Sequence, residues 1–382
     1  MIKMRRQLLG LGFMAASSLM AMNAAHAMNG PTAIKIDGGP LGTLELSGGM
    51  DGYGSYTSGL AGHQPDTGMN VGSALINLEK TSGVLQYTIE VGSNGGAIPV
   101  GTLFSRPGQT SISKFKTGPL YAGYITVAPT DSPVTFSAGM IGSVEGYESG
   151  IDWNNATQMV TDIWYVENSQ SKGVSATYSQ GPLTATVEFG DGWDTNVFNF
   201  LQASVDYSFD DNNSLYVYYG GNLGRTTGPN VTSYGSQVGS ITNLINSQMF
   251  GAFYSWTHGN LNLVPEVQYV YAKPDAKANI SKYTSNFGAA VFADYSFANT
   301  PYSIGGWVQY EKSIGSQYAW FVTPNDQAVG LAVSPTWQYK DVFARVNAGA
   351  NYLLTKTSGG GYGNSGNGNF QFVGTLEAGL LF

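Results

Sequence analysis

The run Asn369-Phe370-Gln371-Phe372-Val373-Gly374-Thr375-Leu376-Glu377-Ala378-Gly379-Leu380-Leu381-Phe382 closes the chain, and its reading decides the fold. Phe370, Phe372, Leu376, Ala378, Leu380 and Phe382 share one parity, while Gln371, Thr375 and Glu377 fall on the other. Successive side chains of a strand point to opposite faces, so this spacing predicts a strand with one apolar and one polar face. Working backward, the same alternation appears in Leu183, Ala185, Val187 and Phe189, then in Leu201, Ala203, Val205, Tyr207 and Phe209. It returns in Ala289, Val291, Ala293, Tyr295 and Phe297.

Runs of this kind place strands near 42–56, 71–80, 83–91, 119–128, 134–140, 172–179, 183–190 and 201–209. Eight more follow near 214–223, 249–257, 261–271, 287–297, 302–312, 328–339, 342–354 and 370–382. That makes about sixteen, with 14 and 18 left open by weak alternation in the early segments. The connections alternate in length. Gln180 to Pro182, Asp210 to Asn213, His258 to Asn260 and Ala298 to Pro301 are tight turns, and between them lie the longer stretches 224–248, 272–286, 313–327 and 355–369. Short turns on one side and long loops on the other are the mark of an outer-membrane barrel. The fold class expected is therefore all-β, a transmembrane antiparallel β-barrel. Outward-parity Tyr207, Phe209, Tyr254, Trp256, Tyr295, Phe297 and Phe382 sit near the short turns, where an aromatic belt would meet the lipid interface. A soluble sandwich is the competing reading, but it has no need of aromatics collected at strand ends.

The beginning of the chain agrees. Lys3, Arg5 and Arg6 precede an apolar run from Leu8 to about Met22, followed by Ala25-His26-Ala27. This is the order of a secretory signal peptide, so residues 1–27 are expected to be a signal and 28–382 the barrel domain. No later apolar run approaches the ~20 residues of a membrane-spanning helix.

Beyond the signal, 14 basic residues face 25 acidic ones, a net charge of −11, which argues against nucleic acid as a partner. Only 11% of residues are charged, while Gly (52), Tyr (24) and Phe (18) are abundant, a composition neither disordered nor ordinary for a soluble domain. With no cysteine, an exported chain must rely on packing and backbone pairing.

The terminal strand resembles the recognition strand of outer-membrane porins, whose final aromatic, here Phe382, is read by the barrel-assembly machinery. A second resemblance centres on Ala138 to Tyr178: Gly146-Tyr147-Glu148, Trp153-Asn154 and Gly173-Val174 are similar to segments of the OmpL-like beta-barrel porins. The chain departs from that pattern at Ala156-Thr157-Gln158 and at Ser169-Gln170-Ser171-Lys172. The resemblance implies a bacterial outer-membrane location and contact with membrane lipids and lipopolysaccharide.

A barrel of about sixteen strands is wide enough for an aqueous channel. By parity, Glu45, Glu79, Glu90, Glu188, Asp206, Glu266, Asp294, Glu311 and Glu377 point inward, against one clear cation, Arg345. That imbalance predicts a lumen that favours cations, unless the carboxylates line wide, water-screened mouths. The third external loop, 141–171, carries Glu145, Glu148, Asp152, Asp162 and Glu167 with Tyr147, Trp153 and Trp164. It either folds inward as an acidic, aromatic constriction or packs on the rim. The segment 92–118, with Arg106, Lys114 and Lys116, is the basic external stretch.

The function expected is a porin for passive diffusion of ions and small hydrophilic solutes, leaning toward cations, with no cofactor. A structural, adhesive or substrate-specific barrel with a closed or gated lumen is the alternative. An outer-membrane enzyme fits less well. His63 and His258 are the only histidines after the signal, and neither is patterned beside a serine and a carboxylate. Asp191-Gly192-Trp193-Asp194 lacks the spaced ligands of a calcium loop. Trimerisation, if present, would use the barrel wall.

Overall fold

Alternation of the kind read above leaves each strand with one face for lipid and one for the interior, and only closure satisfies both edges of such a sheet. In the computed structural model, which describes residues 28, 30–61, 67–101, 120–168, 170–193, 195–227, 241–315 and 326–382, sixteen antiparallel strands pair in chain order. They are β1 (Thr43–Thr57), β2 (Thr67–Lys80), β3 (Leu85–Ser93), β4 (Leu120–Val127), β5 (Val134–Gly142), β6 (Gln170–Gln180), β7 (Leu183–Gly190) and β8 (Phe200–Asp210). The second half contains β9 (Asn213–Asn222), β10 (Gln248–His258), β11 (Leu261–Ala272), β12 (Thr284–Ser296), β13 (Tyr302–Ile314), β14 (Gln327–Tyr339), β15 (Val342–Thr355) and β16 (Phe370–Leu381). The seam closes between β16 and β1, from Leu381 opposite Gly49 to Val373 opposite Thr57. Beyond it, Gly48 and Phe382 exchange backbone hydrogen bonds of 2.8 and 2.9 Å. A short strand, Ile34–Asp37, pairs onto the start of β1.

The barrel is apolar outside and polar inside. On β16, Leu376 is 67% exposed to the surroundings while neighbouring Glu377 is 3% exposed. Val187 beside Glu188 and Val205 beside Ser204 repeat the arrangement. A water-soluble fold would bury the valines and leucines instead, so hydrocarbon is the solvent this outer face requires. Tyr207, Phe209, Tyr295 and Phe297 lie exposed at the short-turn end, where the Tyr207 and Phe209 rings stand 5.2 Å apart. The tight turns use left-handed backbone where the sequence supplies glycine or asparagine, as at Gly259 (φ 60°) and Asn299 (φ 59°).

The short strand Ile34–Asp37 and four further elements were not visible in the alternation. Ile98–Pro99 and Met159–Val160 form a two-residue parallel pairing, and Asp162–Tyr165 and Ile241–Leu244 are single-turn helices. The segment read as a signal peptide, together with His63, Arg106, Lys114, Lys116 and Asp194, lies outside the described residues.

The inner wall is not polar throughout. Tyr216, Phe253, Phe292 and Trp307, on β9, β10, β12 and β13, point inward and form one buried cluster with Met159, Ile163 and Val166 of the loop between β5 and β6. These bulky inner faces exist because that loop lies against them.

Candidate functional site

The connection from Ser143 to Asn168 folds into the barrel and follows the inner wall around much of its circumference. It leaves β5 with Ser143 Oγ donating to Gln202 Oε1 of β8 at 2.6 Å. The hydroxyl of Tyr216 on β9 donates to the Val144 carbonyl at 2.8 Å. The Tyr147 ring packs against Phe253 and Phe292, with centroids 5.4 and 4.9 Å away, and its hydroxyl accepts from Asn262 Nδ2 of β11 at 3.2 Å.

At the far side the loop turns through a short 3-10 segment, Asp152–Asn154. Asn155 fastens this turn to itself: its Nδ2 donates to the Ser149 carbonyl at 2.7 Å and its Oδ1 accepts the Ser149 N–H at 2.8 Å. Arg345 of β15 holds the turn to the wall, donating to the carbonyls of Asn155 and Asp152 at 3.0 Å each. The same guanidinium pairs with Glu377 of β16 through bonds of 2.5 and 2.9 Å. The return limb is tied by Thr375 Oγ1 to Gln158 Oε1 at 2.6 Å, and by Trp307 Nε1 to the Met159 carbonyl at 2.7 Å. Thr161 caps the helical turn Asp162–Tyr165, and Asp162 exchanges hydrogen bonds with Gln309 of β13 at 2.9 and 3.1 Å.

The acids named from the sequence meet in three groups. Around Glu145 gather Glu148, Glu167 and the wall residues Glu188 and Glu266. Glu145 Oε2 accepts the Asn168 N–H at 2.7 Å, Glu167 Oε1 accepts from Gln268 Nε2 at 3.0 Å, and Glu266 Oε1 accepts from the Tyr218 hydroxyl at 2.9 Å. Glu148 takes the backbone N–H and hydroxyl of Thr161. Two glycines make the room: a Cβ on Gly220 would lie 1.7 Å from Glu145 Oε1, and one on Gly146, at φ 75°, would lie 2.1 Å from the Glu167 carboxylate. Burial pushes the carboxyls of Glu145 and Glu148 up to about 8, and raises that of Glu167, where Glu266 and Glu145 add repulsion.

The second group pairs Asp162 with Glu311 of β13, and burial lifts Asp162 to about 7. The third is Asp152 with Arg345 and Glu377. Ser73 Oγ of β2 donates to Asp152 Oδ1 at 2.8 Å and its N–H to Asp51 Oδ1 at 2.5 Å. Oxygens of Asp51, Asp152 and Glu377 lie within 4.8 Å of one another, the one grouping of metal-ligand spacing among the described residues. Arg345 already satisfies both Glu377 oxygens. Asp294 stands apart, bonded to Asn262 at 3.1 Å. Glu79 accepts from Thr88 at 3.2 Å with Glu90 nearby, and Glu45 and half-buried Asp206 lie toward the short-turn end of the interior. Parity thus puts these wall acids on the inner face, and the loop covers Glu266, Glu311 and Glu377.

Asp51 and Ser73 were not singled out in the sequence. Asp51 has inward parity, but Gly48, Gly49 and Gly52 around it carry no side chains to display the alternation, and the β1–β2 register shifts between Met50 and Gly52. The inward-parity aromatics Tyr216, Phe253, Phe292 and Trp307 were the available signal for an inserted loop, since a water-filled lumen has no use for them.

Residues 43–382 match the family model described as "Putative beta-barrel porin-2, OmpL-like". No curated relative matches the sequence significantly. Among solved structures, the barrel is similar to an anion-selective porin from Comamonas acidovorans (TM-score 0.62, 10% identity, covering 89% of this chain and 99% of that one). It is also similar to OmpT of Vibrio cholerae (TM-score 0.58, 11% identity, 92% and 100% covered) and to Salmonella typhi OmpF in complex with daunomycin (0.54, 14%, 91% and 100%). At such identities these likenesses speak for the fold alone. The family match, spanning every barrel strand, carries more: the chain belongs to the OmpL-like beta-barrel porins, channel proteins of the bacterial outer membrane.

Proposed function

We propose that the barrel conducts ions and small hydrophilic solutes by passive diffusion, with a preference for cations, and that the loop 143–168 sets its constriction. The observation that carries the reading is the charge of the interior. Among the described residues, inward side chains of the strands away from the loop interface include the carboxylates of Glu45, Glu79, Glu90, Asp206 and Asp294, and the one inward guanidinium, Arg345, is matched by Glu377. A low-dielectric passage lined this way lowers the energy of a permeating cation and raises that of an anion. Planar-bilayer recordings of the refolded chain under a KCl gradient test it: the reversal potential should report cation over anion permeability. Deleting residues 145–162 should raise conductance and weaken selectivity. Unchanged values would remove the loop from the pore.

The buried apolar cluster between loop and wall favours a second reading, a structural or gated barrel whose lumen is closed at rest. Absence of conductance at all voltages would establish it over the first. We further propose that residues 1–27 are removed on export, so that intact mass of the outer-membrane form should place the N-terminus near Met28. Assembly through the terminal strand by the barrel-assembly machinery, and seating in lipopolysaccharide, accompany this reading. A homotrimer is supported by the similar OmpT of Vibrio cholerae, one form of which is described as a trimer. Mass measurement in mild detergent would decide it.

A further inference from the structure

Among the described residues, the interface between the inserted loop and the wall has more carboxylates than cations or hydrogen-bond donors to match them. Three carboxylates of the loop, Glu145, Asp162 and Glu167, are buried, with half-buried Glu148 beside them, against three of the wall, Glu188 on β7, Glu266 on β11 and Glu311 on β13. Among the described residues no lysine, arginine or histidine pairs with any of the seven. Arg345 is committed to the turn at Asp152 and to Glu377. Donors are short as well: Glu145 Oε1, Glu188 Oε1, Asp162 Oδ1 and both oxygens of Glu311 are buried with no hydrogen bond from a donor. Asp162 and Glu311 nevertheless stand within hydrogen-bonding reach of each other, one on the loop and one on the wall. Two carboxyl groups can share a hydrogen bond only when one of them holds a proton, and two buried carboxylates in contact repel.

We infer that bound protons latch the loop to the wall, through the Asp162–Glu311 pair and the glutamate cluster around Glu145, and that alkaline pH releases it. Among the described residues, the other ionisable groups facing these acids are Tyr147, Tyr216, Tyr218 and Tyr219 at the glutamate cluster, Asp294 beyond Tyr147, and Tyr362 and Asp326 near Glu311. All are acids and supply no countercharge. Burial holds Glu145, Glu148 and Asp162 above the usual carboxyl range. The attached loop therefore binds more protons than a released, hydrated one, and attachment weakens as pH rises from the ordinary carboxylate range toward about 8.

The test is amide hydrogen exchange of the refolded full chain in detergent micelles, expressed as protection factors so that intrinsic exchange rates cancel. Between pH 6 and pH 9.5, protection of residues 145–168 should fall at least about tenfold, the effect of a single one-unit linkage, while β14 stays protected. Asp162→Asn with Glu311→Gln should flatten the profile for the return limb. Loop protection constant across that range in the wild-type chain would overturn the latch, whether or not the variants fold. So would an equal fall in the amide variant. Exchange does not depend on conduction, so a chain that conducts nothing but shows the pH-dependent loop would sink the channel reading and leave the latch standing.

Discussion

Replacing Arg345 with methionine isolates what fastens the loop. The guanidinium and the Glu377 carboxylate are 1% and 0% exposed, and the pair is bidentate, so removing one partner strands a buried charge at about 3–5 kcal/mol. The carbonyls of Asn155 and Asp152 lose donors at about 1 kcal/mol each, giving about 5–7 kcal/mol in all. The barrel need not bear this cost. Once the turn Asp152–Asn155 lifts away, water reaches Glu377, so the free energy of loop detachment is the ceiling on the damage. The expectation is a barrel that still folds, with an unfolding midpoint in urea shifted little, and a loop whose amides from 152 to 158 lose most of their protection. Single-channel records should become noisier. In Arg345→Met with Glu377→Met the stranded charge is gone and only the carbonyl terms remain, so about 3–5 kcal/mol of coupling between the two sites is expected. Wild-type protection of 152–158 in Arg345→Met would refute the reasoning, as would additivity of the two substitutions.

Other perturbations address single features. Trp307→Phe removes the 2.7 Å bond to the Met159 carbonyl and should raise exchange of Met159 and Val160 by about 1–3 kcal/mol of local stability, with the ladder of β13 unaffected. Val205→Arg, on the lipid face of β8, should lower stability by about 2–4 kcal/mol in bilayer refolding titrations if that residue lies near the midplane. Gly259→Val at φ 60° has open space for its side chain, so its cost is backbone strain alone, about 1–3 kcal/mol in the same titration.

The strands were legible because each carries its own evidence. Val187, Val205 and Leu376 are apolar beside polar neighbours, and the period of two is local, independent of which strand lies next door. Closure was legible too, since alternating short and long connections leave antiparallel neighbours in chain order and bring the last strand back to the first. The early strands were blurred where glycine replaces the side chains that would show parity, as between Gly48 and Gly52.

The loop was legible only in its location and charge. Its path depends on partners far away in sequence: Gln158 meets Asn347, Asp162 meets Gln309, and Asn155 meets Arg345, separated by 189, 147 and 190 residues. No local period encodes such contacts. What the sequence did hold was an inconsistency, Tyr216, Phe253, Phe292 and Trp307 on faces that an open channel would keep polar. Inward aromatics are costly in a plain water-filled barrel and are explained once a loop covers them, whereas the inward acids would be hydrated in an open lumen and become costly only beneath the loop. The exceptions to the alternation, more than the alternation itself, therefore mark where this barrel departs from an empty pore and where its conduction would be controlled.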